Sequence, residues 1–183
     1  MPYLFPEVFV REVPGFDVVL GNPPWEELVV DEPRFWASKT PGLLSVPIQK
    51  RRELIEELKA SRPDLVLEIE SKKKSAELTR KVLQKRFPLG VGDTDLYKAF
   101  GWVAYSLLSA NAGQLGYVLP KTAFSAAGME LWRRKLHASG TFNSITYMQN
   151  KGQWIFQIDA RYKVAMFTYA KGSYGGTALR GPI

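Results

Sequence analysis

The sequence predicts an α/β fold with a mostly parallel sheet, an antiparallel strand at one edge, and a basic helical insertion. Short apolar runs typical of strands alternate with longer segments of helical periodicity. The first run, residues 16–20, is almost continuously apolar, which is typical of a parallel strand buried on both faces. The last two runs are joined by a link without helical periodicity, which favours an antiparallel hairpin.

The predicted elements follow in order along the chain. An irregular N-terminal segment, 1–15, leads into the first strand, and prolines and a glycine indicate a loop over 26–48. Apolar residues at helical spacing among many lysines and arginines predict two paired amphipathic helices over 49–87. The remaining predictions are a helix over 95–112, a strand over 115–120, a helix over 125–139, strands over 145–148 and 162–169, and a loose glycine-rich tail over 171–183.

The charge of the chain points to a polyanionic partner. The formal net charge is +7 and the sequence pI is about 9.6. Residues 49–87 contain 12 Lys or Arg and 7 Asp or Glu, a surplus of 5, so most of the excess lies in the helical insertion. Nucleic acid is the commonest polyanion that such a surface binds, and a solvated basic surface without a partner is the equal alternative.

The composition also excludes several kinds of site. There is no cysteine, which excludes disulfides and cysteine-ligated zinc. The single histidine, His137, argues against histidine-based metal sites and against Ser-His-Asp catalysis within this chain. No apolar run reaches the roughly 18–20 residues of a membrane span, and no signal-peptide core is present, so a cytoplasmic location is expected.

The most informative motif is Asn22-Pro23-Pro24-Trp25, directly after the first strand. Ligands of open α/β sheets bind at the carboxyl ends of strands, where Asn22 stands. Its carboxamide oxygen and the Pro23 carbonyl can both accept hydrogen bonds from one planar amino group, and the prolines restrict the backbone that aims them. Such acceptors stabilise the positive charge that develops as the nitrogen attacks a methyl carbon. Trp25 offers a face for stacking on a flat ring; a proline-stiffened turn with a buried Trp is the structural alternative.

The motif and its neighbours resemble the S-adenosylmethionine-dependent DNA adenine-N6 methyltransferases of restriction–modification systems. The resemblance implies a Rossmann-like methyltransferase fold with Asn22, Pro23, Pro24 and Trp25 as the catalytic loop. It also implies S-adenosylmethionine as methyl donor and double-stranded DNA as substrate. Asn22 is the one residue that the resemblance places beside the donor. The matching segments, in the family's order, are 5–9, 16–25, 95–100, 113–120, 128–136 and 162–169.

The chain departs from the family in lacking a strand followed by a glycine-rich cofactor loop. The resemblance begins at the fourth strand of the family fold. It therefore implies the C-terminal half of a catalytic domain, with the cofactor-binding half upstream and a DNA-recognition domain downstream, and a fragment that is inactive alone. The edge of the 16–20 strand is then expected to be bare, and self-association or another segment is expected to cover it.

Several residues are candidates for contacts with DNA. Lys121 and Thr122 directly follow the 115–120 strand, at a level of the sheet where they can contact DNA. Two basic clusters also have the charge to bind phosphate. For each of these sets a solvated surface is the equal alternative. The two clusters are Lys72, Lys73 and Lys74 in the insertion, and Arg133, Arg134 and the adjoining Lys135 in the helix over 125–139. The alternatives to the whole assignment are an RNA-base or protein-glutamine methyltransferase, which act on the same planar amino group, and a non-catalytic nucleic-acid-binding module.

Overall fold

The computed structural model describes residues 3–92, 94–157 and 161–181. Residues 182 and 183 of the predicted loose tail therefore lie outside the described residues. The chain divides into two compact units: a sheet unit of Met1–Glu27 and Arg86–Ile183, and a helical unit of Leu28–Lys85. Within the described part of the chain, no helix combines the length and apolarity that a membrane crossing requires.

The elements are six α-helices and five strands in the described residues. The helices are α1 (Pro6–Phe9), α2 (Glu32–Lys39), α3 (Ile48–Ser61), α4 (Pro63–Arg86), α5 (Leu96–Leu107) and α6 (Glu130–Ser139). The strands are β1 (Val18–Gly21), β2 (Gln114–Pro120), β3 (Gly140–Gln149), β4 (Lys163–Lys171) and β5 (Ala178–Arg180).

The five strands form one sheet in the order β1-β2-β4-β3-β5. β1 pairs with β2 in parallel, and β3 pairs with β5 in parallel. β4 is antiparallel to both β2 and β3, so it alone runs against the other four strands. The α/β class and the mostly parallel sheet are therefore confirmed.

The antiparallel strand lies inside the sheet and not at its edge. β3 and β4 form the predicted hairpin, but β4 also bonds to β2 through its other side, over Gln114–Pro120. The edge next to β3 is taken by β5, in the tail that we predict to be loose. A three-residue strand in a glycine-rich segment has no periodicity of its own, and only the backbone of β3 brings it into the sheet.

The sheet is packed on one face and open on the other. Apolar residues of β2 and β4 form the core with α5 and α6, and each large buried side chain contributes about 1.5–3 kcal/mol. On the opposite face, Val18 and Leu20 of β1 are 55% and 76% exposed and Met166 is 47% exposed. The expectation that the first strand is buried on both faces is therefore wrong for this chain, because β1 is an edge strand with β2 as its one neighbour. The core side chains of the two strands include Leu115, Tyr117, Leu119, Phe167 and Tyr169.

The helical unit contains a helix that the sequence reading misses. Residues 26–48, predicted as a loop, contain α2, whose N-terminus is capped by the Asp31 carboxylate accepting from the Arg34 amide at 3.0 Å. One residue, Arg62, separates the end of α3 from Pro63, which begins α4 as suits a residue without an amide hydrogen. The unit has its own core, which is made by Phe35, Trp36, Leu43, Ile55, Leu65 and Ile69.

Candidate functional site

The Asn22–Trp25 loop leaves the sheet at the carboxyl end of β1. Gly21, the last residue of β1, pairs with Tyr117 of β2, and a Cβ on Gly21 would lie 3.1 Å from the Tyr117 ring. Asn22 is exposed, and its carboxamide has no hydrogen-bond partner among the described residues, so both polar atoms are available to a ligand. Pro23 is buried and Trp25 half-buried, which anchors the loop to the protein.

The first turn of α5 holds the far end of this loop. The Leu96 amide donates to the Glu26 carbonyl at 2.9 Å, and Glu27 forms an antiparallel bridge with Asp95. The Asp95 carboxylate lies 3.2 Å from the Lys98 ammonium group, and Lys98 is only 5% exposed. A nearly buried ion pair of this kind is costly to break, because removing one partner leaves the other charge unpaired.

The same turn of α5 reaches the loop after β2. The buried Tyr97 hydroxyl interacts with Thr122, and burial raises the pKa of Tyr97 while this hydrogen bond opposes the rise. Lys121 lies with its ammonium group 5.3 Å from the centre of the Tyr147 ring. β1 and β2 are parallel neighbours, so the residues after both strands, Asn22 and Lys121 among them, share one edge of the sheet.

A third segment at this edge, residues 150–157, comes from the link between β3 and β4. Its centre is the fully buried Asn150, whose carboxamide oxygen accepts from the amides of Ile155 and Phe156 at 3.2 and 3.1 Å. The Asn150 side-chain amide donates to the Phe156 carbonyl at 3.0 Å. This arrangement sets the Phe156 ring edge-to-face on Trp25, with ring centres 5.5 Å apart.

Phe156 is a site residue that the sequence reading misses. The sequence does carry a signal there, because Trp154, Ile155 and Phe156 form a short apolar run in the link. Contact with Trp25 spans more than 130 positions of the chain, and no local pattern reports such a pair. The indole N–H of Trp25 is buried without a partner among the described residues. Trp25 therefore has one edge against the core and the Phe156 ring beside it.

A basic cavity of about 470 Å³ opens at the same edge of the sheet. This size is within the range of small-molecule sites. Three cationic side chains, Lys121, Arg161 and Lys163, line it together with Thr122 and Tyr162. The cavity lies where β2 ends and β4 begins, so it favours an anionic group next to the loops described above.

The two predicted arginines of α6 have internal partners. Arg133 donates to the carbonyls of Ala123 and Ala126, at 2.9 Å each, and so holds the turn before α6. This turn, formed by two short 3₁₀ segments over 121–129, delays the start of α6 from the predicted residue 125 to Glu130. Arg134 pairs with Glu130 at 2.7 Å.

The lysines predicted in the insertion lie on α4 of the helical unit. Lys72 is 3.6 Å from Glu68, and Lys73 lies 3.2 Å from Glu32 and 3.0 Å from Glu70. Lys74 has no carboxylate within 4 Å among the described residues. Of the three neighbouring lysines, Lys72 and Lys73 are therefore partly neutralised by carboxylates of the described residues, whereas Lys74 is not.

Asp17 has a structural role at the opposite end of β1. Its carboxylate pairs with Arg11 at 2.7 Å, and this hydrogen bond and charge hold the pKa of Asp17 below its ordinary value. The Asp17 carbonyl also accepts from the Gln114 amide at 2.8 Å. Asp17 precedes β1 whereas Asn22 follows it, so this carboxylate does not support the Asn22 loop directly.

Comparison with known proteins finds similarity only among solved structures. No protein-family model and no curated protein sequence matches the chain. A protein described as a class I S-adenosylmethionine-dependent methyltransferase, from Listeria monocytogenes, is 15% identical with a TM-score of 0.41, over 52% of this chain and 30% of that one. A modification subunit of a type I restriction enzyme, from Vibrio vulnificus YJ016, is 13% identical with a TM-score of 0.45, over 88% of this chain and 23% of that one. A type I restriction–modification system is 14% identical with a TM-score of 0.47, over 97% of this chain and 26% of that one.

The chain thus spans less than a third of the length of each of these structures. The similar structures are a methyltransferase and parts of restriction–modification systems. All three TM-scores are below 0.5.

Proposed function

We propose that this chain forms the target-amine side of a DNA adenine-N6 methyltransferase of a restriction–modification system, with S-adenosylmethionine as methyl donor. One observation carries the proposal: Asn22 stands exposed at the carboxyl end of β1, with a carboxamide that bonds to no described residue. The loop behind it is anchored by buried Pro23 and by the α5 turn at Asp95. A rigid loop with an uncommitted acceptor suits the positioning of a substrate amine.

The chemistry of the loop follows from its acceptors. The Asn22 carboxamide oxygen and the Pro23 carbonyl accept hydrogen bonds from the two hydrogens of one exocyclic NH₂ group. Their partial negative charges stabilise the nitrogen as it gains positive charge on attack. An amide is too weak a base to remove the proton in advance, so the amine attacks directly and loses its proton afterwards.

The aromatic pair beside the loop suits a flat base. Trp25 is half-buried and meets Phe156 edge-to-face, so two aromatic side chains lie together beside the loop. A base extruded from a duplex loses its stacking, and aromatic side chains replace it at a value of about 1–3 kcal/mol per base. Lys121 and Thr122 lie at the same edge, and we assign them to contacts with the DNA next to the extruded base.

The described residues do not by themselves make a pocket for the methyl donor. A donor of this kind needs a glycine-rich turn after a strand at the carboxyl edge. The glycines at 172, 175 and 176 instead follow β4, which runs against the other strands and so ends at the opposite edge. No step involving the donor is therefore assigned to residues of this chain beyond Asn22.

The test is methyl transfer by the natural gene product, including any further domains it has. Asn22→Ala should lower transfer from S-adenosylmethionine to duplex DNA by about 10²–10³-fold, the usual cost of one transition-state hydrogen bond, and should leave DNA affinity nearly unchanged. Asn143→Ala is the matched control, because Asn143 is an exposed asparagine of β3 away from this edge. Activity that survives Asn22→Ala contradicts the proposed role.

Parallel assays with RNA and protein substrates distinguish the alternatives, since all three substrates present a planar NH₂ group. Transfer to RNA or to a glutamine side chain, without transfer to DNA, would replace the DNA assignment. A non-catalytic module would transfer to none of them. Calorimetry on the 183-residue chain tests the donor side separately: tight binding of S-adenosylmethionine would contradict the absence of a complete pocket.

A further inference from the structure

The second half of α4 carries no part of the core of the helical unit. The buried residues of α4 are Leu65 and Ile69, both in its first two turns, whereas residues 70–86 include no buried side chain. Leu78 and Val82 are 55% and 61% exposed. The helix is supported there by local contacts such as the Glu77–Lys81 pair at 2.7 Å, which lies at the exposed surface.

This exposed half of α4 is also strongly basic. Residues 70–85 contain six Lys or Arg and two Glu, a surplus of 4 within a chain of net charge +7. Lys72, Lys73 and Lys81 each lie within 4 Å of a carboxylate. Lys74 and Lys85 have no such partner among the described residues.

Helical geometry places Lys74 and Lys85 in one stripe with Lys81, which pairs with Glu77. At about 100° per residue, Lys74, Lys81 and Lys85 lie within about 40° of one another around the helix, with Leu78 between them. From Lys74 to Lys85 the rise is about 16 Å, comparable with about five phosphate spacings along one DNA strand. Lys72 and Arg80 lie on the other side of the same helix, roughly 120–160° from Lys74.

We propose that this lysine stripe, Lys74, Lys81 and Lys85 of α4, is a docking surface for the phosphate backbone of duplex DNA. The choice of DNA rests on the proposed function, and the choice of a polyanion rests on the charge and exposure of the stripe. Lysine ammonium groups bind phosphates as point charges without reading sequence, so the stripe adds affinity and not specificity. A helix that binds a membrane surface needs a wide apolar face, whereas Leu78 and Val82 are the only exposed large apolar residues beyond residue 70 of α4.

The test is a salt titration of duplex binding by the 183-residue chain, measured by fluorescence anisotropy with a labelled 30-base-pair DNA. The variant Lys74→Gln/Lys85→Gln removes two contacts and should reduce the slope of log K against log salt by about 2. At about 0.1 M salt its affinity should fall about 10–60-fold. The matched control is Lys72→Gln/Arg80→Gln, which removes the same charge from the other side of α4 and should change the slope by less than half as much.

The possible outcomes decide between distinct explanations. If both double variants lose the same DNA affinity, the effect is one of general charge, and the proposal of a lysine stripe is wrong. It is also wrong if neither variant loses affinity. Tighter binding to an equal duplex of RNA, or to phosphatidylcholine vesicles with phosphatidylserine, would overturn DNA as the partner. Asn22 is not part of α4, and duplex binding needs no methyl transfer. A failed docking surface and a failed enzyme assignment are therefore separable in the two assays.

Discussion

Glu32 is the charged centre of the helical unit, and its replacement by glutamine tests how this unit is stabilised. The Glu32 carboxylate lies 2.9 Å from Lys59 and 3.2 Å from Lys73, so it joins α2 to α3 and α4. It also accepts from the indole N–H of the fully buried Trp36 at 3.3 Å. Glu32→Gln keeps an acceptor for Trp36 but removes the charge that both lysines share.

The size of the effect follows from the pKa of Glu32. The hydrogen bond from Lys59 is the largest cause that lowers this pKa from 4.5 to about 2, with Lys73 and Trp36 adding to it and burial opposing it. A difference of about 2.5 in pKa corresponds to about 3.4 kcal/mol. The Glu32 side chain is 29% exposed and its lysine partners 35% and 40%, so solvent screening reduces the expected loss to about 1–2 kcal/mol.

The stabilisation by Glu32 should depend on pH, which distinguishes it from an effect of packing. Because the folded pKa of Glu32 is lowered, its stabilisation is fully present above about pH 4.5 and is lost as the pH falls towards about 2. The Glu32→Gln protein lacks this dependence. The difference between wild type and variant should therefore be largest near pH 7 and disappear near pH 2.

Hydrogen exchange read by mass spectrometry on peptides within residues 48–86 measures this difference in the intact chain. The control is Glu53→Gln, because Glu53 forms one exposed pair with Lys50 at 3.5 Å, and its loss should cost at most a few tenths of a kcal/mol. Two results would refute the reasoning: unchanged protection in Glu32→Gln at pH 7, or a difference as large at pH 2 as at pH 7.

Three further outcomes are expected in the sheet unit. Gly90→Ala places a Cβ against the Gly128 carbonyl oxygen, whereas Gly92 shares the positive φ but meets no atom within 4 Å; Gly90→Ala should therefore lower the melting temperature well beyond Gly92→Ala, and equal losses would contradict this steric argument. Asn150→Ala leaves the backbone groups of residues 155 and 156 unpaired. It should lower the free energy of unfolding by about 2–4 kcal/mol, measured by urea titration. An unchanged urea midpoint would show that the Asn150 hydrogen bonds do not stabilise this segment. Leu20 is 76% exposed on edge strand β1, so the chain should self-associate in sedimentation and Leu20→Lys should weaken this; a stable wild-type monomer at all concentrations would exclude it.

Much of the sheet unit is predictable because its signals are local. The strands β2 and β4 and the helix α5 appear in the sequence as apolar runs of the right period. The structure places both strands within two residues of the predicted limits, whereas α5 ends at Leu107, five residues before the predicted end. The position of Asn22 at a strand end follows from the apolar run before it. In each case the pattern lies within about twenty consecutive residues, where periodicity is readable.

The missed features depend on contacts between distant parts of the chain. α2 lies in a proline-containing segment, and its burial of Phe35 and Trp36 against the core of the helical unit is what favours a helix there. β5 exists because β3 offers it an unpaired backbone edge. The exposure of β1 likewise follows from its place in the strand order, since its own residues suit a buried strand equally well.

The alternation of strands and helices, the basic insertion and the chemistry available at Asn22 can all be predicted from the sequence, because residue type and spacing carry this information. Two features of the site appear only in the folded chain: Phe156 lies against Trp25, and the first turn of α5 holds the loops after β1 and β2. The folded structure also determines which lysines of α4 are already paired with carboxylates. Ring contacts and ion pairs depend on distances of a few ångströms between residues far apart in the chain, and these distances are set only when the elements pack.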